Sequence, residues 1–526
     1  MTLLDEFVDW YLKDNPVRAT LLGATGFDRT LGDFSEEGFI RRERATELWL
    51  DRLSNADPGP SLDDRIDHEL ALSHLHGEVL TAGWPEWRRT PAPYLDAVFA
   101  SMFTPFQQRL SPEPDLVEAA VARLAEVPAV LAACKANLSP DLAAELLVTR
   151  GLQQARTGRR FLTETLPAQV RDPALRTRLA AAAEPAAAAF DDLVTFLEGF
   201  RAGGTWRMGE ELYSGLLQER EMLGYGATEL HAKGVAEWEA LNQRMNEVAG
   251  KLGFDAWRPA MESLMDDHPP TLEAMRAEYE AETERARRFV RARDLVTFPA
   301  GEHCQVLPSP EFQRPIIAVA NYLSPPPLST AREGVFFVPY TPDDFTEEQV
   351  RQRLRTNSRP QMPSISVHEA YPGHHWQLAH LAENQRRIRK VFRTPYFVEG
   401  WGLYVEKLMW EQGYYDTPET ELAHLDCRIW RAARIVVDTA LHCEDMSIEE
   451  AETFMATKAS LSPGTAKGEV NRYCAWPTQA PSYLTGAIEI ERIRSEYTGD
   501  LKSFHDRIAG SGGLPLGLAR KAALGG

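Results

Sequence analysis

VHEAYPGHHWQ, Val367 to Gln377, sets three histidines and a glutamate around a Pro-Gly break. Further along the chain comes FVEGWGLYVE, Phe397 to Glu406. Two neutral imidazoles and a distant carboxylate are the protein ligands a catalytic zinc takes, with one coordination position left for water. The first expectation is therefore a metal-dependent hydrolase whose ligands are carried on helices.

The spacing departs from the usual zinc motif H-E-x-x-H, in which the histidines lie four residues and roughly one helical turn apart. Here His368 and Glu369 are followed by His374 and His375, with Pro372 where the second histidine would ordinarily fall. At about 100° per residue, His374 would lie about 120° around a straight helix from His368, and His375 only about 20° away. A straight helix thus favours His375. Pro372, however, has no amide hydrogen for the carbonyl of His368, and Gly373 lets the chain take up a displaced geometry. A bulge absorbing two extra residues would return His374 to the ligand position. Geometry alone leaves both histidines open.

VHEAYPGHHWQ, FVEGWGLYVE and RYCAWPTQAPSYLTG, Arg472 to Gly486, together resemble the bacterial "domain of unknown function 885" family. That family is itself similar to the gluzincin metallopeptidases, such as the thimet oligopeptidase and carboxypeptidase Taq groups. The likeness extends from FVDWYLKDNPVRATLLG near the start to the C-terminal helices. It implies a large multi-helix, zincin-like fold with a small sheet beside the metal-binding helix. The relatives carry H-E-x-G-H, whose Gly-His pair matches Gly373 and His374 if Tyr371 and Pro372 are an insertion. On that match His368 and His374 become imidazole ligands, Glu369 the general base and Glu399 the third ligand, with His375 left for the substrate or the surroundings of the metal.

The second segment suits this role on its own terms. Glu399 and Glu406 are seven residues apart and point from one helix face, amid the bulk of Phe397, Trp401 and Tyr404. One carboxylate can bind metal while the other braces a ligand histidine. Glu399 is the expected ligand and Glu406 the expected brace, the alternative for Glu406 being a solvated residue paired to Lys407 or Arg393. Gly400 and Gly402 allow close approach of the metal helix, or equally tight helix packing. In the Arg472 to Gly486 segment, a gluzincin mechanism calls for an oxyanion donor, and Tyr483 is the tyrosine the resemblance nominates. Arg472 and Tyr473 are candidates for holding a substrate carboxylate. Against that, Arg472 has Glu469 and Glu489 as potential partners, and Tyr473 suits a core. His380, His424 and His442 lack a partner pattern and read as structural, His442 least firmly.

The expected chemistry is attack of activated water on an amide or peptide carbonyl, with Glu369 moving the proton to the leaving nitrogen. A small peptide or amino-acid derivative is the expected substrate. Zinc suits two histidines and a glutamate; manganese, iron or cobalt would also fit. Two other classes compete: a biosynthetic metalloenzyme cleaving or rearranging a C–N bond, and a binding protein with a degenerate metal site.

Composition bounds these readings. The 526 residues include 57 basic and 77 acidic side chains, a formal net charge of −20. That disfavours nucleic acid or an anionic membrane as partner, both bound through excess Lys and Arg. The five cysteines are odd in number and form no C-x-x-C pair, so a reducing cytoplasm is expected. The first residues form an acidic amphipathic helix with neither a basic leader nor a cleavage site, and no apolar run approaches about 20 residues.

Apolar spacing predicts helices over 36–53, 62–80, 114–136, 141–166, 173–197, 228–252 and 271–294, with Pro185 ending or kinking the fifth. FRAGGTWRMG, Phe200 to Gly209, marks a boundary between an N-terminal helical lobe, 1–200, and a catalytic lobe, 201–526, unless the chain folds as one continuous unit. QVLPSP, PIIAVANYLSP and GVFFVPY, within about 302–340, read as a small sheet. Gly334 to Tyr340 is the candidate edge strand for pairing extended substrate, the alternative being a hairpin that covers the core.

Overall fold

A computed structural model describes residues 2–311, 313, 314 and 319–525. The chain is mainly helical, and the helices fall where apolar spacing places them: Glu36–Ser54, Leu62–Ala82, Glu113–Asn137, Pro173–Gly199, Ala227–Lys251 and Leu272–Ala292. The stretch expected at 141–166 starts later, at Glu145, and passes through a π-turn at Phe161–Thr165. Pro185 neither ends nor splits its helix, which runs unbroken to Gly199. Leu179, Ala183, Ala186, Ala187 and Phe190 bury a continuous face on either side of it. That burial, at roughly 1.5–3 kcal/mol per large apolar side chain, outweighs the roughly 3 kcal/mol cost of an interior proline.

Two compact units emerge. The first comprises Met1–Pro58, Ala71–Met208 and Pro326–Ala331; the second comprises Gly59–Leu70, Gly209–Pro325 and Arg332–Gly526. The main-chain division thus lies between Met208 and Gly209, with short segments assigned across it. In the first unit the Pro173–Gly199 helix packs on Glu113–Asn137 and Glu145–Arg160 around Phe190, Leu193, Leu124 and Val127.

In the second unit the Ala227–Lys251 helix packs along Pro418–Cys443, and Pro395–Glu411 packs along Ser482–Glu496. The latter pair meets backbone to backbone: a Cβ on Gly400 would lie 2.5 Å from the Cα of Gly486, and one on Gly486 would lie 1.9 Å from the Tyr396 carbonyl oxygen. The small sheet has strands β1 (His303–Pro308), β2 (Asn321–Leu323) and β3 (Glu333–Val338) in the order β1-β3-β2. β1 runs parallel to β3, from His303 opposite Glu333 to Pro308 opposite Val338; β2 runs antiparallel to it, with Tyr322 opposite Phe336. This corrects one expectation. The strand beginning near Gly334 is the centre of the sheet, so its backbone groups are already paired and cannot take up an extended substrate. Of PIIAVANYLSP, residues 315–318 lie outside the described residues, and β2 forms from the part beyond them.

Candidate metal site

The helix carrying His368, Met362–Glu369, stops at Glu369, and a new one, His374–Ala382, starts after four intervening residues. The expected bulge is instead a full break. Ala370 leaves the helical region at φ −117° and ψ −82°, and the Tyr371–Pro372 peptide bond is cis. Across the break the amide of Trp376 donates to the carbonyl of Ala370 at 3.2 Å, six residues back rather than the four of a regular helix. The two inserted residues are thereby looped out. Gly373 makes this possible, because a Cβ there would sit 1.9 Å from the His368 carbonyl oxygen and 2.2 Å from that of Val367. The indole of Trp401 donates to the freed Pro372 carbonyl at 2.8 Å.

The break separates the fates of the adjacent histidines. His374 faces His368, their rings 4.6 Å apart and nearly perpendicular. The Glu399 carboxylate lies 3.4 Å from His374 Nε2 and 3.6 Å from His368 Nε2. These three are the only group of His, Cys, Asp or Glu among the described residues placed to hold a metal ion, their donor atoms all within 4.8 Å of one another. His375 points elsewhere. Its Nε2 contacts the Glu302 carboxylate at 2.9 Å and its Nδ1 the Tyr322 hydroxyl at 2.9 Å, so both nitrogens are engaged.

One face of Pro395–Glu411 cradles His368. Glu399, Gly402 and Glu406 recur at helical spacing: Glu406 accepts from His368 Nδ1 at 2.7 Å, Glu399 approaches Nε2, and the ring lies over Gly402. A Cβ on Gly402 would come within 2.6 Å of His368 Cε1. The two glycines thus serve different ends, Gly402 the histidine and Gly400 the neighbouring helix. Glu406 is 1% exposed, which removes the solvated alternative; Ser364 donates to its other oxygen at 2.6 Å, and Lys407 pairs with Glu491 instead.

Donor chemistry and spacing both fit a divalent ion. Two donors each about 2.0–2.2 Å from a tetrahedral ion stand roughly 3.3–3.6 Å apart, the separation seen from Glu399 to each imidazole. Hydrogen bonds between such groups would be shorter, about 2.7–2.9 Å. In the metal-free protein burial disfavours a charged His368, but the Glu399 and Glu406 carboxylates prevail and hold its pKa at about 10. Burial likewise raises Glu399 and Glu406, yet the histidines outweigh it and hold both carboxyls well below the usual range.

Glu369 is partly buried and its carboxylate has no protein hydrogen bond among the described residues. Burial raises its pKa, opposed by His368 and His374. Tyr483 starts the Ser482–Glu496 helix; burial and the charge of Glu399 both raise its pKa, so its phenol stays an O–H donor. Arg472 and Tyr473 do not join the group. Arg472 pairs with Glu469 at 3.0 Å, and Tyr473, fully buried, donates to the same carboxylate at 2.7 Å. His380 stacks on Trp376 and His442 contacts the Tyr473 carbonyl, both as structural groups.

Several participants have no signal in the sequence. Glu302 accepts from Tyr371 at 2.6 Å as well as from His375, and Arg287 pairs with it. His424, buried, lies 3.7 Å from Glu406 and stacks on Tyr415. Arg431 and Arg434 stand over the Tyr483 ring at 5.7 and 4.7 Å. Each of these meets the site from a distant segment through tertiary packing, which spacing within one segment cannot reveal.

A family model described as "Bacterial protein of unknown function (DUF885)" matches residues 16–522, and the chain belongs to that family. The fold is similar to a candidate lipoprotein of unknown function from Shewanella oneidensis, with a TM-score of 0.81 at 22% identity over 99% of this chain and 98% of that one. It is also similar to a candidate lipoprotein from Colwellia psychrerythraea, with a TM-score of 0.83 at 17% identity over 98% and 96% of the two chains. No curated protein matches the chain.

Proposed function

We propose that this protein is a metal-dependent hydrolase of gluzincin type, cleaving an amide or peptide bond of a small peptide or amino-acid derivative. The observation that carries the reading is the His368, His374 and Glu399 group, with Glu369 beside it under the charge of both histidines and with no hydrogen bond to its carboxylate among the described residues. Zinc is the ion the donor set favours, with manganese, iron and cobalt as alternatives. Such an ion, when bound, polarises a carbonyl and makes water acidic enough to be deprotonated near neutral pH. Glu369, raised by burial, is suited to accept that proton and pass it to the leaving nitrogen. The Tyr483 phenol, kept protonated, is suited to donate to the carbonyl oxygen as charge develops there. Glu406 fixes the His368 ring through Nδ1, leaving Nε2 for the metal side.

Five cysteines, odd in number and without a C-x-x-C pair, support a reducing compartment, for which we propose the cytoplasm. No helix among the described residues is long and apolar enough to cross a membrane. The test is metal analysis of protein purified without a histidine tag, paired with a panel of peptides and N-acyl amino acids read by mass spectrometry. Near-stoichiometric divalent metal, lost in His368→Ala, with products that have gained water is the expected result. Metal retained in that variant, or unsaturated products of elimination, would refute the reading.

A further inference from the structure

Arg428, Arg431 and Arg434 follow at three-residue intervals along the Pro418–Cys443 helix. The outer two are deeply buried and have acidic partners: Arg428 donates to Glu491 at 2.8 Å, and Arg434 donates to Glu469 at 2.8 Å and to the Tyr473 hydroxyl at 3.2 Å. Arg431 has none. Its Nη1 donates to the Cys427 carbonyl of its own helix at 3.1 Å, while its Nε is shut off from solvent without a partner. No carboxylate among the described residues lies within ion-pair distance of it, although Glu369, Glu406 and Asp426 all feel its charge.

Leaving a guanidinium partly desolvated and uncompensated is costly, and this chain has ample acidic residues to spare for pairing. Its position suggests what supplies the missing charge. Arg431 stands over the ring of Tyr483, and its charge acts on both the Tyr483 phenol and the Glu369 carboxyl, the groups assigned to the two sides of the scissile carbonyl. A guanidinium offers a planar fork that matches a carboxylate in two parallel hydrogen bonds. The geometry points to Arg431 as the anchor for a free carboxylate next to the scissile amide, so that the substrate is an N-acylated amino acid or a peptide losing its C-terminal residue. The placement of that amide rests on the hydrolase reading above; the carboxylate preference itself can be measured without turnover.

The experiment is calorimetric titration of the full-length protein, as purified and after chelation, with N-acetyl-L-alanine, N-acetyl-L-leucine and N-acetyl-L-phenylalanine, each against its C-terminal amide. At least one acid should bind about 10- to 100-fold more tightly than its amide, the range of a charge-assisted pair. Arg431→Gln should erase that difference and leave amide affinity unchanged. Arg431→Lys, which keeps the charge, should retain part of the preference, and serves as the test if the glutamine variant fails to fold. Wild-type protein with no acid-over-amide preference, including no binding of either, overturns the assignment; so does a preference that survives Arg431→Gln, or full acid affinity in Arg431→Lys. Hydrolysis without that preference would sink the anchor alone, whereas the preference without metal or turnover would sink only the hydrolase reading.

Discussion

His374 and His375 differ by one position and by everything around them. The first has its Nε2 3.4 Å from Glu399, and its Nδ1 is sealed away without a partner; the second is fully buried with both nitrogens engaged by Glu302 and Tyr322. His374→Ala is therefore expected to lose metal affinity severely. His375→Ala should keep the metal bound and instead cost about 1–3 kcal/mol of stability, since it strips a hydrogen bond from a buried carboxylate. Zinc titration against a competing chelator, together with melting curves, distinguishes them, and the reverse order would return the second ligand to the straight-helix choice. Glu369, adjacent to the proposed ligand His368 and with no hydrogen bond to its carboxylate among the described residues, has a separate signature. Glu369→Gln should retain the metal and lose about 10²- to 10⁴-fold in turnover; loss of metal would mean the carboxylates have been assigned the wrong roles.

At the level of elements, the helices were readable because each buries one stripe at a period near 3.6 residues, and packing rewards that stripe wherever the partner comes from. Glu399 and Glu406 were readable as a pair for the same reason, since seven residues return to the same face. What surrounds them was not. The break after Glu369 depends on Gly373 lying against two carbonyls and on Trp401 satisfying a third, and the central place of β3 depends on partners brought in from either side. The sequence could name Gly402 as a site of close approach but not what approaches. The structure supplies the His368 ring, pinned on both sides by Glu399 and Glu406 and so unable to retreat. In an ordinary helix interior, Gly→Ala gains about 1 kcal/mol. Gly402→Ala should instead displace the ring and weaken zinc binding by roughly 10- to 100-fold, the usual cost of disturbing a ligand's support, with helical content unchanged by circular dichroism. Unaltered affinity would show that the ring is free to move.

Across the second unit, a buried carboxyl draws distant parts of the chain together. Asp438, 0% exposed on the Pro418–Cys443 helix, accepts from the Tyr213 hydroxyl and from the amide of Thr478 at 3.1 Å, so segments from near residues 213, 438 and 478 meet at one side chain. Burial pushes its pKa up to about 7; the hydrogen bonds from Tyr213 and Thr478 and the charge of Arg472 oppose this without overcoming it. The folded protein therefore holds a proton there that the unfolded chain releases near pH 4. Stability from this group is fully present below about pH 4 and is lost as pH rises through about 7, because over that window the folded state binds more protons than the unfolded one. An elevation from 3.8 to about 7 corresponds to roughly 4 kcal/mol. Asp438→Asn offers the same oxygen to Tyr213 and Thr478 but has no proton to lose. Melting temperature measured from pH 5 to 8 should fall more steeply in the wild type than in the variant, and above pH 7 the variant should be the more stable. Parallel profiles for the two proteins would mean that Asp438 is ionised in the fold throughout, with its charge held by Arg472 and the two hydrogen-bond donors.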